Sequence, residues 1–123
     1  MADLETSLKE CMTITGAIGV ALVDYTSGMT LGSAGGGREL DLEVAAAGNT
    51  EVVRAKMRTI NDLGLNDTID DILITLGNQY HLIRPLTSAR GDGLFLYLAL
   101  LKSVANLAMA RRQLQSVEKE LEI

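Results

Sequence analysis

The chain has 123 residues and a formal net charge of −5, with no Trp, one Phe and three Tyr. The negative charge repels nucleic-acid phosphates and anionic membrane surfaces, and few aromatic rings are present on which bases can stack. These properties argue against nucleic-acid binding. A chain of this length typically forms one domain, so residues 1–123 are treated as a single domain.

The sequence shows no signal for export or membrane insertion. Its beginning, MADLETSLKE, lacks the apolar stretch of a secretory signal. Its longest apolar run is well below the ~20 residues that cross a bilayer. The lone cysteine, Cys11, cannot form a disulfide within the chain, which fits a reducing compartment. We therefore expect a cytoplasmic protein.

The first part of the chain predicts a helix followed by a hairpin. Asp3 is a suitable N-cap for a short helix with one apolar face. Residues 14–23 alternate small and aliphatic side chains, as in a buried strand, and residues 24–28 have the composition of a tight turn. A return strand is predicted at residues 29–32. The glycine-rich stretch 32–38 is predicted to be a flexible loop.

A long helix is predicted from about residue 39 to residue 60, and its apolar surface is wide. Its polar side chains cluster in one sector, which leaves an apolar arc far wider than the ~100° that packing on one sheet requires. The other segments are already assigned to a sheet and two further helices, so an identical helix from a second copy is the simplest partner. The predicted homodimer contacts on this helix are Val44, Val52, Val53, Met57 and Ile60.

The second half of the chain predicts three strands and a final helix. Residues 72–76 and 80–86 are predicted strands, joined by a Gly-Asn pair at residues 77–78 that favours a hairpin turn. Residues 94–101 are almost wholly apolar, as expected for a strand covered on both faces. Ser103 is the predicted N-cap of the last helix. The predicted order of elements is α-β-β-α-β-β-β-α.

Several sequence patterns occur in this order of elements. The segment NLA at residues 106–108 is followed by AR at residues 110–111, and it comes shortly after the FLYL strand at residues 95–98. A first strand with a Gly28 turn and the segment IRPL at residues 83–86 add to the pattern. Together they resemble the Roadblock family, the dynein light-chain and bacterial GTPase-regulator group related to longin domains. The resemblance covers nearly the whole chain.

The resemblance implies an α+β fold and a mode of self-association. Five antiparallel strands would form one sheet, with the long helix on one face and the N- and C-terminal helices on the other. Family members pair through the long helix and through the strand at about residues 69–76 of this sequence. Ile72 and Ile74 therefore join the predicted dimer interface.

The resemblance also implies a function. Family members are scaffolds and regulators that bind Ras-like small GTPases, and some bacterial ones accelerate GTP hydrolysis by their partner. We expect a signalling module of this kind that is not itself an enzyme and needs no cofactor or metal. The predicted partner contacts are Glu51, Arg54 and Arg58 in the polar sector of the long helix, although such side chains are equally expected as solvated charges.

Other interpretations of the sequence are weaker. A small-molecule sensor domain is the alternative function, and it requires an internal apolar pocket with a few converging polar groups. His81 has no accompanying nucleophile motif, so a structural or surface role is expected. Cys11 is expected to be buried and inert. The aspartates of residues 62–71 do not have the spacing of a calcium loop, and the RGD at residues 90–92 is interpreted as a turn.

Overall fold

The computed structural model describes residues 2–38, 40–87 and 91–122, which form a five-stranded antiparallel sheet with helices on both faces. The sheet order is β2-β1-β5-β4-β3, so β5 is central and β2 and β3 are the edges. The predicted α-β-β-α-β-β-β-α order is confirmed. The helices are α1 (Leu4–Met12), α2 (Leu42–Asp62) and α3 (Leu107–Glu120), and the strands are β1 (Ala17–Asp24), β2 (Met29–Gly35), β3 (Ile72–Thr75), β4 (Gln79–Pro85) and β5 (Leu94–Leu101).

Two apolar layers hold the helices against the sheet. On one face, Leu8 of α1 and Leu114 of α3 pack in a cluster that includes Leu98 of β5. On the other face, α2 packs alone through Val53 on a cluster that includes Phe95 of β5. β5 therefore contributes to both layers, as its unbroken apolar sequence predicts. The predicted arrangement of the long helix opposite the two terminal helices is confirmed.

The glycine-rich segment differs from the prediction of a flexible loop. β2 extends to Gly35, and Gly32 lies within the ladder opposite Leu22. A Cβ placed on Gly32 would lie 3.0 Å from the side chains of both Leu4 and Leu8. The return strand predicted at residues 29–32 is confirmed and the loop prediction was wrong for residues 33–35, because the missing side chain at Gly32 allows α1 to pack closely on a strand that continues to Gly35.

Side-chain caps fix where the two longer helices begin. The Asp41 carboxylate caps α2 by accepting hydrogen bonds from the backbone N–H groups of Glu43 and Val44, at 3.0 and 3.2 Å. Asn106, and not Ser103, caps α3, and its side-chain oxygen accepts from the N–H of Met109 at 3.1 Å. The Ser103 prediction was wrong because the chain first makes a further turn after β5.

That turn also packs against the beginning of the first strand. The N–H of Ala105 donates to the carbonyl of Leu101 at 2.9 Å. A Cβ on Gly16 would lie 3.1 Å from the Cβ of Ala105, so the residues before α3 are held against the chain that leads into β1. Within the described ranges, no helix is both long and apolar enough to cross a bilayer.

Candidate functional site: the outer surface of the long helix

Only part of the wide apolar arc of α2 faces the sheet. Leu42, Ala46, Thr50 and Val53 are buried, and Met57 and Ile60 are half-buried farther along the same side. The Thr50 hydroxyl donates to the carbonyl of Ala46 at 2.7 Å, which satisfies this polar group inside the layer. One stripe of α2 therefore supplies the core of the single chain.

The position of Val53 corrects one predicted dimer contact. Its side chain is 0% exposed and belongs to the apolar cluster between α2 and the sheet, so a second copy cannot reach it in this fold. Met57 packs partly against the same cluster. The apolar arc of α2 is thus divided into an inner stripe that faces the sheet and an outer stripe that does not. The width of the arc alone did not show which residues belong to which stripe.

A second strip of small and apolar residues runs along α2 on the side that the core does not use. Val44 is 67% exposed and Val52 37% exposed. The neighbouring positions on this strip are also exposed. Spacings of three and four residues place all of them on one side of a helix. We define the outer strip as Val44, Gly48, Val52, Ala55 and Thr59.

The outer strip continues toward the edge strand β3. A groove of about 730 Å³ separates the middle of α2 from residues 68–72, and Val52, Ala55 and Ile72 are among the residues that line it. β3 pairs with β4 on one side only, and among the described residues no strand pairs with its other edge. The structure therefore brings α2 and β3 together on one open surface.

The remaining predicted interface residues lie around this surface. Ile60 lines the same groove. Ile72 and Ile74 of β3 are half-buried and pack against the α2 layer. Val44 lies farther toward the beginning of α2, where it lines a smaller groove that also contains His81. Ile74 stands opposite His81 in the ladder between β3 and β4, so these two regions adjoin.

Arg54 has a structural role that the sequence did not indicate. Its guanidinium donates from Nε to the carbonyl of Tyr25 at 2.6 Å and from Nη2 to the carbonyl of Thr26. These two carbonyls belong to the turn between β1 and β2, so Arg54 fastens α2 to that turn. Its side chain is consequently already engaged within the chain, whereas Glu51 and Arg58 are simply exposed on α2.

The turn that Arg54 holds also has hydrogen bonds of its own. The Asp24 carboxylate accepts hydrogen bonds from the N–H and the hydroxyl of Thr26, at 2.8 and 2.6 Å. These bonds lower the pKa of Asp24. Gly28 has φ +81°, a backbone conformation that glycine adopts without strain. The predicted turn at residues 24–28 is confirmed.

His81 lies on the sheet face below α2 and is bonded to neighbouring side chains. Its Nδ1 is 3.2 Å from the hydroxyl of Tyr97, and its Nε2 is 2.8 Å from Oε1 of Gln79. Burial lowers the pKa of His81 and raises the pKa of Tyr97 to about 12. Both side chains are therefore neutral near pH 7. The arrangement is that of a structural histidine, as predicted.

The other candidate residues have structural surroundings as well. Cys11 is fully buried, as predicted, and burial raises the pKa of its thiol to about 12, which favours the unreactive thiol over the thiolate. Asp71, from the acidic segment, forms a two-pronged ion pair with Arg111 of α3, with N–O distances of 2.8 and 2.9 Å. In the parts of the chain that are described, no group of three or more His, Cys, Asp or Glu side chains is placed to hold a metal ion.

Two further expectations concern the RGD turn and the sensor pocket. Residues 88–90, which include most of the predicted turn before β5, lie outside the described residues. The pocket that a small-molecule sensor requires would be internal, whereas the groove of about 400 Å³ that the described residues form at the end of the sheet is partly open to solvent. The two apolar layers occupy the space between the sheet and its helices.

Comparison with known proteins identifies the fold. No protein-family model matches the sequence, and no curated protein matches it. Solved structures do match. A Roadblock/LC7 domain from Streptomyces avermitilis has a TM-score of 0.81 at 12% identity, and the match covers 97% of this chain and 94% of that chain. Myxococcus xanthus MglB has a TM-score of 0.73 at 17% identity, with 94% and 78% covered.

A third structure gives the same result. The gliding protein MglB from Thermus thermophilus has a TM-score of 0.70 at 17% identity, and the match covers 94% of this chain and 88% of that chain. Identities this low establish shared architecture and not shared partners. The chain has the Roadblock fold, as its resemblance to that family predicts.

Proposed function

We propose that this chain is a non-enzymatic, homodimeric interaction module that binds a Ras-like small GTPase and regulates it or scaffolds it in cytoplasmic signalling. The Roadblock fold and the resemblance of the sequence to that family support the proposal. One similar structure is described as MglB with a tetrameric arrangement, at a TM-score of 0.68 and 15% identity. Self-association thus occurs in a protein of this fold.

The observation that carries the proposal is the outer strip beside the open edge of β3. Val44 and Val52 would remain in water in a single chain, although they lie on a surface that is continuous with the groove beside Ile72. Covering both the strip and the groove with a second copy removes this apolar area from water, which is favourable by roughly 25 cal/mol per Å². The unpaired edge of β3 can gain backbone hydrogen bonds in the same contact.

Gly48 supports close contact between two helices. Glycine inside a helix costs about 1 kcal/mol relative to alanine. Nothing in the described chain lies within 4 Å of a Cβ placed on Gly48, and its φ is not positive, so neither packing nor backbone conformation within one copy explains the glycine. A helix from a second copy that approaches α2 closely at this point would explain it.

The partner GTPase would then contact the charged side of α2. Glu51 and Arg58 are exposed and border the outer strip on its polar side, since each lies three or four residues from Ala55, so they would lie at the rim of the contact with a second copy. Arg54 contributes less than predicted from the sequence because the turn carbonyls already engage it. The sequence has no G-x-x-x-x-G-K-[ST] motif, so the nucleotide is that of the partner.

The experiment is a binding titration with purified small GTPases from the same organism, each loaded with fluorescent GDP or with a fluorescent non-hydrolysable GTP analogue. We expect the chain to bind one GTPase and to prefer one nucleotide state. Arg58→Glu should weaken binding by about tenfold or more, since charge reversal replaces an attraction with a repulsion.

Arg112→Glu is the matched control, because Arg112 is an exposed arginine on α3, which lies on the opposite face of the sheet. Equal loss of binding in both variants would show that net charge matters and the α2 surface does not. Failure of every small GTPase to bind in either nucleotide state would overturn the proposed function.

A further inference from the structure

A second groove lies at the end of the sheet, away from the outer strip. It has a volume of about 400 Å³, within the range of about 300–1,000 Å³ that is usual for ligand pockets. Its walls come from the turn after β1, from the last turns of α2, from the connection after α2, and from the chain between the end of β4 and the start of β5. Four parts of the chain therefore meet around it.

The floor of this groove is apolar. Met57 and Ile60 of α2 lie on one side, and Pro85 and Leu86 at the end of β4 lie on the other. Leu65 in the connection after α2, which is 55% exposed, also lines the groove and adds to its apolar surface. A ligand that fits here must therefore offer an apolar surface.

The rim of the groove is negative. The exposed acidic residues Asp67 and Asp92 line it, and so does Tyr25. α2 ends beside the groove without a basic residue in its last turn, so no side chain of that turn offsets the negative end of the helix dipole. Among the described lining residues there is no Lys, Arg or His. The groove thus combines an apolar floor with two acidic residues, while the guanidinium of nearby Arg54 is engaged by the carbonyls of Tyr25 and Thr26.

We propose that this groove docks an arginine side chain, flanked by apolar residues, from an extended segment of a partner protein. A guanidinium pairs with carboxylates through two parallel hydrogen bonds and stacks on aromatic rings, so it matches a rim of two aspartates and a tyrosine. The Asp67 carboxylate already accepts one hydrogen bond, from the N–H of Thr68 at 2.8 Å, and a carboxylate has further acceptor sites. The apolar neighbours of the arginine would cover the floor.

This docking site borders the proposed dimer surface but does not include the outer strip. Val44, Val52 and Ala55 of the outer strip do not line it. It adjoins the groove beside β3 through Ile60, Thr68 and Ile69, which line both. The inference depends neither on a GTPase partner nor on dimer formation, so it stands or falls independently of the proposed function.

The test uses the peptide acetyl-Ala-Leu-Arg-Leu-Ala-amide, titrated into the full chain and followed by backbone amide NMR shifts. We expect saturable shifts at residues that line this groove and not the groove beside β3, such as Leu65, Leu86 and Thr87. The same peptide with citrulline in place of arginine has nearly the same shape but no charge. It should bind about tenfold more weakly, because it lacks the charge-assisted pairing.

Variants give a second measurement. Asp67→Asn and Asp92→Asn should each weaken binding of the arginine peptide, whereas Asp70→Asn should not, because Asp70 is exposed but does not line this groove. Equal binding of the arginine and citrulline peptides, or shifts that map elsewhere, would overturn the proposal.

Discussion

At the scale of single residues, Arg54 shows how an exposed side chain can hold a fold together. It joins α2 to the turn between β1 and β2 through two backbone carbonyls, whereas Arg58, one turn farther along the helix, is exposed with no structural role evident from its position. Arg54→Gln should lower the free energy of unfolding by about 1–2 kcal/mol, as expected for hydrogen bonds from a charged donor.

Urea denaturation checks this prediction. Arg58→Gln is the matched control, and it should change the unfolding free energy by less than about 0.5 kcal/mol, as is usual at open surface positions. If the two variants are equally stable, Arg54 does not anchor the turn.

His81 should make stability depend on pH. Burial lowers its pKa in the folded chain below the value of about 6.5 that an unfolded chain has. As the pH falls, the unfolded chain therefore takes up the proton first. The contribution of neutral His81 to the free energy of unfolding should be fully present above about pH 7.5. It should decrease as the pH falls through about 6.5 toward the pKa that His81 has in the folded chain.

Urea titrations at a series of pH values measure this effect. The dependence in that window should be smaller in His81→Gln, which cannot titrate. An unchanged pH profile in that variant would show that His81 is not responsible.

At the scale of elements, two residues of the sequence could cap the beginning of α3. Ser103 and Asn106 are both residue types that cap helices well, and they lie three positions apart. The structure assigns the cap to Asn106. Asn106→Ala should therefore destabilise the chain by about 1 kcal/mol, whereas Ser103→Ala should have little effect. Thermal or urea denaturation of the two variants makes the comparison, and the reverse order of stabilities would place the helix start at Ser103.

Most of the elements could be predicted from the sequence because their patterns are local. The apolar run of β5 and the Asp3 cap of α1 each identify their element without tertiary information, and both are found. Gly32 shows where local information ends. Glycine fits a mobile loop and a tightly packed strand equally well, and only the position of Leu4 and Leu8 above it decides between them.

The candidate site was predictable in outline only, for a related reason. Val52 and Val53 are adjacent in sequence and equally apolar, yet one is exposed and the other is completely buried. The arc of α2 shows that two apolar surfaces are needed. The rotation of the helix about its own axis decides which valine serves which surface, and that rotation is set by packing on the sheet. The role of Arg54 likewise depends on a turn that lies 28 and 29 residues earlier in the chain.

At the scale of the whole molecule, the proposed GTPase-binding surface is a platform formed by two copies, and it depends on a second copy that covers the outer strip and the edge of β3. Without it, the exposed valines of α2 and the glycine at position 48 have no structural explanation. With it, two copies form a platform whose charged sides remain open to a partner. The oligomeric state is therefore the property on which the proposed function rests.

Sedimentation analysis decides whether the second copy is present. It compares the wild-type chain with two variants in which one alanine of α2 is replaced by glutamate. Ala55 lies on the outer strip and Ala47 lies on another side of α2, and both are exposed in one copy. Ala47→Glu is therefore the matched control for Ala55→Glu. The wild type and Ala47→Glu should sediment at micromolar concentration at twice the 13.2 kDa mass of one chain, and Ala55→Glu should sediment as a folded single chain. A wild-type chain that is folded and monomeric, or an Ala55→Glu variant that still dimerises, would show that the outer strip is not a dimer surface.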